Sequence, residues 1–175
     1  MFSGEIMSIE KISDRLSEKQ IWQWLEDVPD PEIPVISVVD LGIVRDVSVA
    51  GDQVTVMITP TYSGCPATTV ISFDIEAALR ARGVADIKIA SQLFPPWTTD
   101  WISEAGREKL LDYGIAPPQK GASCAGALRA SKGPIACPQC GSVRTECVSE
   151  FGSTPCKAAY RCLDCLEPFD YFKTI

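Results

Sequence analysis

Apolar and polar positions along the chain alternate between two periods, and the alternation outlines a fold. After a lead-in over residues 1–16 with no clear period, Ile21, Trp24, Leu25 and Val28 recur at three- and four-residue steps. They predict a short helix that stops at Pro29. Ser17-Glu18-Lys19-Gln20 has the form of a capping box at its start. Residues 43–49 and 52–58 alternate with period two, and Ala50-Gly51-Asp52 between them predicts a β-hairpin. Ala67, Val70, Ile71, Ile75, Ala78 and Leu79 then mark a helix from Pro66 that ends before Gly83, and residues 84–90 form a third strand. A further helix carries Trp101, Ile102, Ala105, Leu110 and Leu111, capped by Asp100 or Ser103 and ended by Gly114. The order predicts an α+β domain over residues 17–114: a small mixed or antiparallel sheet covered by helices.

Residues 115–134 are rich in Pro, Gly, Ala, Ser and Lys and read as a linker. Beyond it, residues 135–175 hold two knuckles, Cys137-Pro138-Gln139-Cys140 and Cys162-Leu163-Asp164-Cys165, with strand-like pieces around them. Paired Cys-x2-Cys knuckles at this spacing place four thiolates at the corners of a tetrahedron, which suits one structural zinc per chain and a C-terminal zinc ribbon. Four thiolates equally suit a single iron or an iron–sulfur cluster. So small a module buries little apolar area, so the metal supplies most of its folding free energy.

Composition narrows the chemistry. The chain has no histidine, which removes Ser/His and Cys/His pairs, His metal ligands and the usual proton shuttle near neutral pH. Residues 1–114 carry 18 acidic against 9 basic side chains, and residues 115–175 carry 5 against 7. A surface so acidic speaks against nucleic-acid binding. No apolar run approaches a membrane span and no signal peptide is visible, so a cytoplasmic location is the expectation. Eight cysteines without a secretion signal point to metal or thiol chemistry rather than disulfides. Cys124 reads as a free thiol in the linker, and Cys147 and Cys156 as buried fillers or alternative ligands.

Cys65 stands alone in the first 120 residues, in Thr59-Pro60-Thr61-Tyr62-Ser63-Gly64-Cys65-Pro66. With Pro66 at the first helical position, Cys65 becomes the N-cap, where free N–H groups and the helix dipole favour a thiolate. The alternative is a small apolar residue buried in a tight turn. Upstream, Asp30-Pro31-Glu32-Ile33-Pro34-Val35 reads as a stiff extended loop, since both X-Pro steps disfavour helix. Its two carboxylates, taken alone, fit a solvated turn.

Together, Asp30-Pro31-Glu32-Ile33-Pro34-Val35, Asp40-Leu41-Gly42-Ile43-Val44 and Thr59-Pro60-Thr61 with Gly64-Cys65-Pro66 resemble the domain of SufT-like iron–sulfur maturation factors. The added knuckles, with Phe151-Gly152-Ser153-Thr154 and Cys156-Lys157, resemble the PaaD (PaaJ) family, accessory subunits encoded with bacterial phenylacetyl-CoA epoxidase. The resemblance spans residues 20–175. It implies a non-catalytic factor that delivers or matures an iron–sulfur centre, with the epoxidase's reductase subunit as client. It implies further that Cys65 is a cluster or iron ligand, that Asp30, Glu32 and Asp40 line the same site, and that Thr59 and Thr61 are its loop hydroxyls. Clusters generally need four ligands, so a single cysteine implies a homodimer or a client completing the shell around a transient cluster or iron. Two other readings stay open: a scaffold of the oxygenase complex in which Cys65 only packs, and a thiol enzyme.

Overall fold

The computed structural model describes residues 16–62, 66–119 and 134–173. Helix α1 (Glu18–Leu25) starts where Ser17 Oγ accepts the Gln20 N–H, and it buries Ile21 and Leu25. Strands β1 (Val44–Ala50) and β2 (Gln53–Ile58) pair antiparallel around Gly51, whose φ of +63° suits a residue without Cβ. Helix α2 (Ala67–Ala81) carries the chain across to β3 (Asp86–Ser91), which pairs parallel to β2. The first sheet, ordered β1-β2-β3, is therefore mixed. Val54, Val56 and Ile58 all point from β2 into the core, as a period of two requires. Ala67, Ile71, Ile75 and Leu79 meet them in one stripe of α2, at steps of four.

Two local expectations are revised. Pro66 stands at the cap of α2 rather than inside it, although its backbone is already helical at φ −65° and ψ −25°. The Asp30-Pro31-Glu32-Ile33-Pro34 segment is not extended but folded into tight turns, and a bridge between Pro29 and Ser37 closes it. The reason is Asp30, whose Oδ1 accepts the N–H groups of Glu32 (2.9 Å) and Ile33 (2.8 Å). An aspartate side chain that binds backbone two and three residues on makes a turn, and the prolines then stiffen that turn.

The α3 helix (Glu104–Asp112) begins at Ser103, whose Oγ accepts the Gly106 N–H at 2.9 Å. Trp101 lies before it, in a 3₁₀ turn over Thr99–Trp101. Residues 115–116, at the head of the stretch expected as a linker, form a two-residue strand β4 (Ile115–Ala116). Strands β5 (Thr145–Ser149), β6 (Lys157–Cys162) and β7 (Pro168–Phe172) follow, and the second sheet is ordered β4-β7-β6-β5.

The two sheets share a core. Phe172 and Cys156, both from the ribbon, are buried among the residues of the first module, and the Phe172 ring lies 6.2 Å from that of Trp97. Trp97 is in turn anchored through Nε1–H to the Leu41 carbonyl at 3.0 Å. A smaller second core forms around Cys137, Tyr160, Cys162 and Tyr171. Among the described residues no helix is long and apolar enough to cross a membrane.

Candidate functional site

The first candidate is a metal centre in the ribbon. The sulfurs of Cys137, Cys140, Cys162 and Cys165 all lie within 4.8 Å of one another. Cys137 to Cys165 measures 3.7 Å and Cys140 to Cys162 measures 3.6 Å. A tetrahedron with Zn–S bonds of about 2.3 Å has edges of about 3.8 Å, so the sulfurs already stand at metal-binding distances.

Each knuckle is closed in the same way. The Cys137 N–H binds the Ser142 carbonyl at 2.8 Å, and the Cys162 N–H binds the Glu167 carbonyl at 3.0 Å. Gly141 and Leu166 occupy the matching left-handed positions, at φ +73° and +66°. The Cys162 thiol is pulled down to about 6, first by the backbone N–H of Cys165. The neighbouring thiols push Cys140 and Cys165 the other way, since four sulfurs this close cannot all ionise without a cation between them. Its four positions are filled by protein sulfur, which leaves none for a substrate.

The second candidate is a narrow cleft between the first module and the ribbon. Asp30, Glu32, Thr61, Thr68 and Cys156 are its polar lining, over an apolar floor that includes Ile33, Ile71 and Phe172. Asp30 is only 5% exposed. Burial pushes its carboxyl above the usual range, against the opposing pull of the Ile33 and Glu32 N–H groups. Cys156 also lies buried, with Thr154 Oγ1 at 3.0 Å and its thiol facing Glu32 Oε2 at 3.7 Å. Burial pushes this thiol up to about 11; the Thr154 hydroxyl opposes that shift and the charge of Glu32 adds to it.

Of the residues singled out in the sequence, the fold brings Asp30, Glu32 and Thr61 together in this cleft. Thr59 begins the same loop but faces a neighbouring hollow, lined also by Pro60, Thr61, Tyr62 and Trp97. It is 1% exposed and its hydroxyl has no hydrogen-bond partner among the described residues. Asp40 is not part of the cleft lining. It accepts from Ser103 Oγ at 2.7 Å and pairs with Lys109 of α3. Burial raises its carboxyl, but the bonds from Lys109 and Ser103 outweigh that and hold it below the usual range. Cys65, the residue singled out first, lies outside the described residues, as does Cys124.

Cys147 is exposed on β5. Cys156 is buried, as one of its two sequence readings expected, but its place beside the acidic loop was not foreseen. It stands 124 positions from Glu32, and its one signal was a cysteine outside the knuckles at the start of a strand.

Two family models match the chain: an iron–sulfur cluster assembly protein over residues 18–89, and a PaaD zinc β-ribbon domain over residues 122–173. The chain is 49% identical to a putative 1,2-phenylacetyl-CoA epoxidase subunit of Escherichia coli (strain K12), covering 89% of this chain and 92% of that one. It is 39% identical to an Fe–S protein maturation auxiliary factor of Porphyromonas gingivalis, covering 57% of this chain and 92% of that one. Among solved structures it is similar to a domain of unknown function, DUF59, from Bacillus anthracis. The TM-score is 0.50 and the identity 29%, over 53% of this chain and 90% of that one.

Proposed function

The chain belongs to the PaaD family, and on that footing we propose that it is a non-catalytic maturation factor that hands iron or an iron–sulfur cluster to the phenylacetyl-CoA epoxidase system. The client in this reading is the epoxidase's iron–sulfur reductase subunit, met in the cytoplasm. The observation that carries the reading is the cleft: a turn that holds two carboxylates, Asp30 and Glu32, against a thiol in a chain without histidine. Thiolates are the usual ligands of iron–sulfur clusters and iron also takes carboxylates. A thiol enzyme would need a thiol that ionises readily, whereas burial pushes the Cys156 thiol up to about 11.

The four ribbon thiolates hold a resident structural zinc, and the cluster or iron is cargo. Cys65 is the carrier thiolate, at the head of α2. A second chain, as a homodimer, or the client itself completes the shell around the cargo. Asp40 shapes the site indirectly, since it ties the turn after the acidic loop to the start of α3.

The test is Cys65→Ser in cells that also make the client. The expected result is a client purified with less iron and less acid-labile sulfide, while the variant stays folded with one zinc per chain. A client with its full complement in those cells would sink the proposal and favour a scaffold in which Cys65 only packs.

A further inference from the structure

The ribbon does more in this fold than hold its own metal. The turn before β6 pushes Cys156 out of the ribbon and into the cleft of the first module. Three backbone bonds pin that turn: Gly152 N–H to the Lys157 carbonyl (2.8 Å), Lys157 N–H to the Thr154 carbonyl (3.1 Å) and Lys173 N–H to the Cys156 carbonyl (2.9 Å). A cysteine used as apolar filler is surrounded by carbon. This sulfur instead meets a hydroxyl at 3.0 Å and a carboxylate at 3.7 Å, in a cleft that also holds a second, nearly buried carboxylate. Both loop N–H groups bind Asp30 Oδ1, which leaves Oδ2 outside the loop's own hydrogen bonds. A buried carboxylate beside a buried thiol is costly without a cation of its own, and the one nearby, Lys157, pairs with Asp170 at 3.5 Å.

Resting on the proposed function, we infer that Cys156 is a ligand of the cargo site, a thiolate that the ribbon supplies to the iron received at Asp30 and Glu32. On binding, the thiol proton leaves to solvent and an S–Fe bond replaces the S–H bond, with no change of oxidation state. Among the described residues, the four ribbon cysteines are the only group of three or more potential ligand side chains that lies within 4.8 Å. Asp30, Glu32 and Cys156 do not form such a group, so on their own they are an open edge and not a closed cage. An open edge suits a cation in transit, because its vacant positions admit the ligands of the next protein.

The test uses the full chain with one zinc per chain, titrated without oxygen with cobalt(II) as the optical probe for ferrous iron. Zinc release is followed in the same samples. The expected result is a second ion taken up without loss of zinc, with a thiolate-to-cobalt absorption band. Part of that band should vanish in Cys156→Ser, and binding should weaken in Glu32→Gln with the fold intact. Should Cys156→Ser lose its zinc or its circular dichroism, Glu32→Gln carries the decision, and unchanged affinity there overturns the inference. A band lost in Cys65→Ser but identical in Cys156→Ser and wild type overturns the ribbon's contribution and leaves the proposed function standing. No second ion in the wild type overturns the inference, while the client assay above still decides the function separately.

Discussion

Asp30 and Asp40 are acidic residues ten positions apart whose surroundings push them in opposite directions. Asp40 meets a lysine and a serine hydroxyl and is held low; Asp30 is buried and held high. The sign of the linkage follows. A carboxyl raised on folding costs stability once pH exceeds its unfolded value, because the folded chain gives up the proton less readily. Asp30→Asn keeps an Oδ1 acceptor for the Glu32 and Ile33 N–H groups and removes the buried charge. We expect it to raise the thermal midpoint at pH 7, to lose that advantage as pH falls through the usual carboxylate range, and to take up less cobalt in the cleft. Melts across pH beside the titration check all three. A drop in midpoint at pH 7 would show that the charge is compensated in the fold, with Lys157 as the nearby cation.

At the level of elements, the two knuckles repeat one geometry with different residues. Gly141 takes the left-handed position in the first, and Leu166 takes it at φ +66° in the second. A side chain there costs about 1–2 kcal/mol against glycine, and Leu166 is 60% exposed, so little packing offsets the strain. Glycine is also more flexible in the unfolded chain, which takes back part of the gain. Leu166→Gly should stabilise the zinc-loaded protein by roughly 0.5–1 kcal/mol net of these terms. Chemical denaturation with zinc in excess measures it, and a destabilised variant would mean that the exposed leucine is held by contacts stronger than the strain. The turns at residues 30–36 belong to the same scale. The prolines there were legible as helix breakers, but the direction of the break depends on which N–H groups Asp30 captures.

Across the whole molecule, the ribbon and the first module are joined by burial rather than by the chain alone. Phe172 is 1% exposed and stands against Trp97, and β4, which directly follows α3, pairs with β7. Metal loss should therefore be felt beyond the ribbon. A strong chelator is expected to disorder β5 to β7 and also to lower the midpoint reported by tryptophan fluorescence, since all four tryptophans lie in the first 101 residues. The Phe172→Ala variant, with zinc bound, should reproduce part of that loss, about 3–5 kcal/mol for a fully buried aromatic ring. A tryptophan transition indifferent to chelation would show that the modules fold independently.

Local periodicity and spacing encode one part of this protein. The hairpin about Gly51, the stripe of Ile71, Ile75 and Leu79, the Ser17 and Ser103 caps and the four knuckle thiols are set by neighbours within a few positions. The missing histidine likewise excluded whole classes of chemistry before any fold was considered. Which distant groups meet is a matter of tertiary packing. The acidic loop and Cys156 are separated by more than a hundred residues, and no periodic signal links them, because the contact arises from one module's turn docking on another's surface. Packing also parted Asp40 from Asp30 and Glu32, since a lysine on α3 offered Asp40 a charge partner that no local pattern could announce.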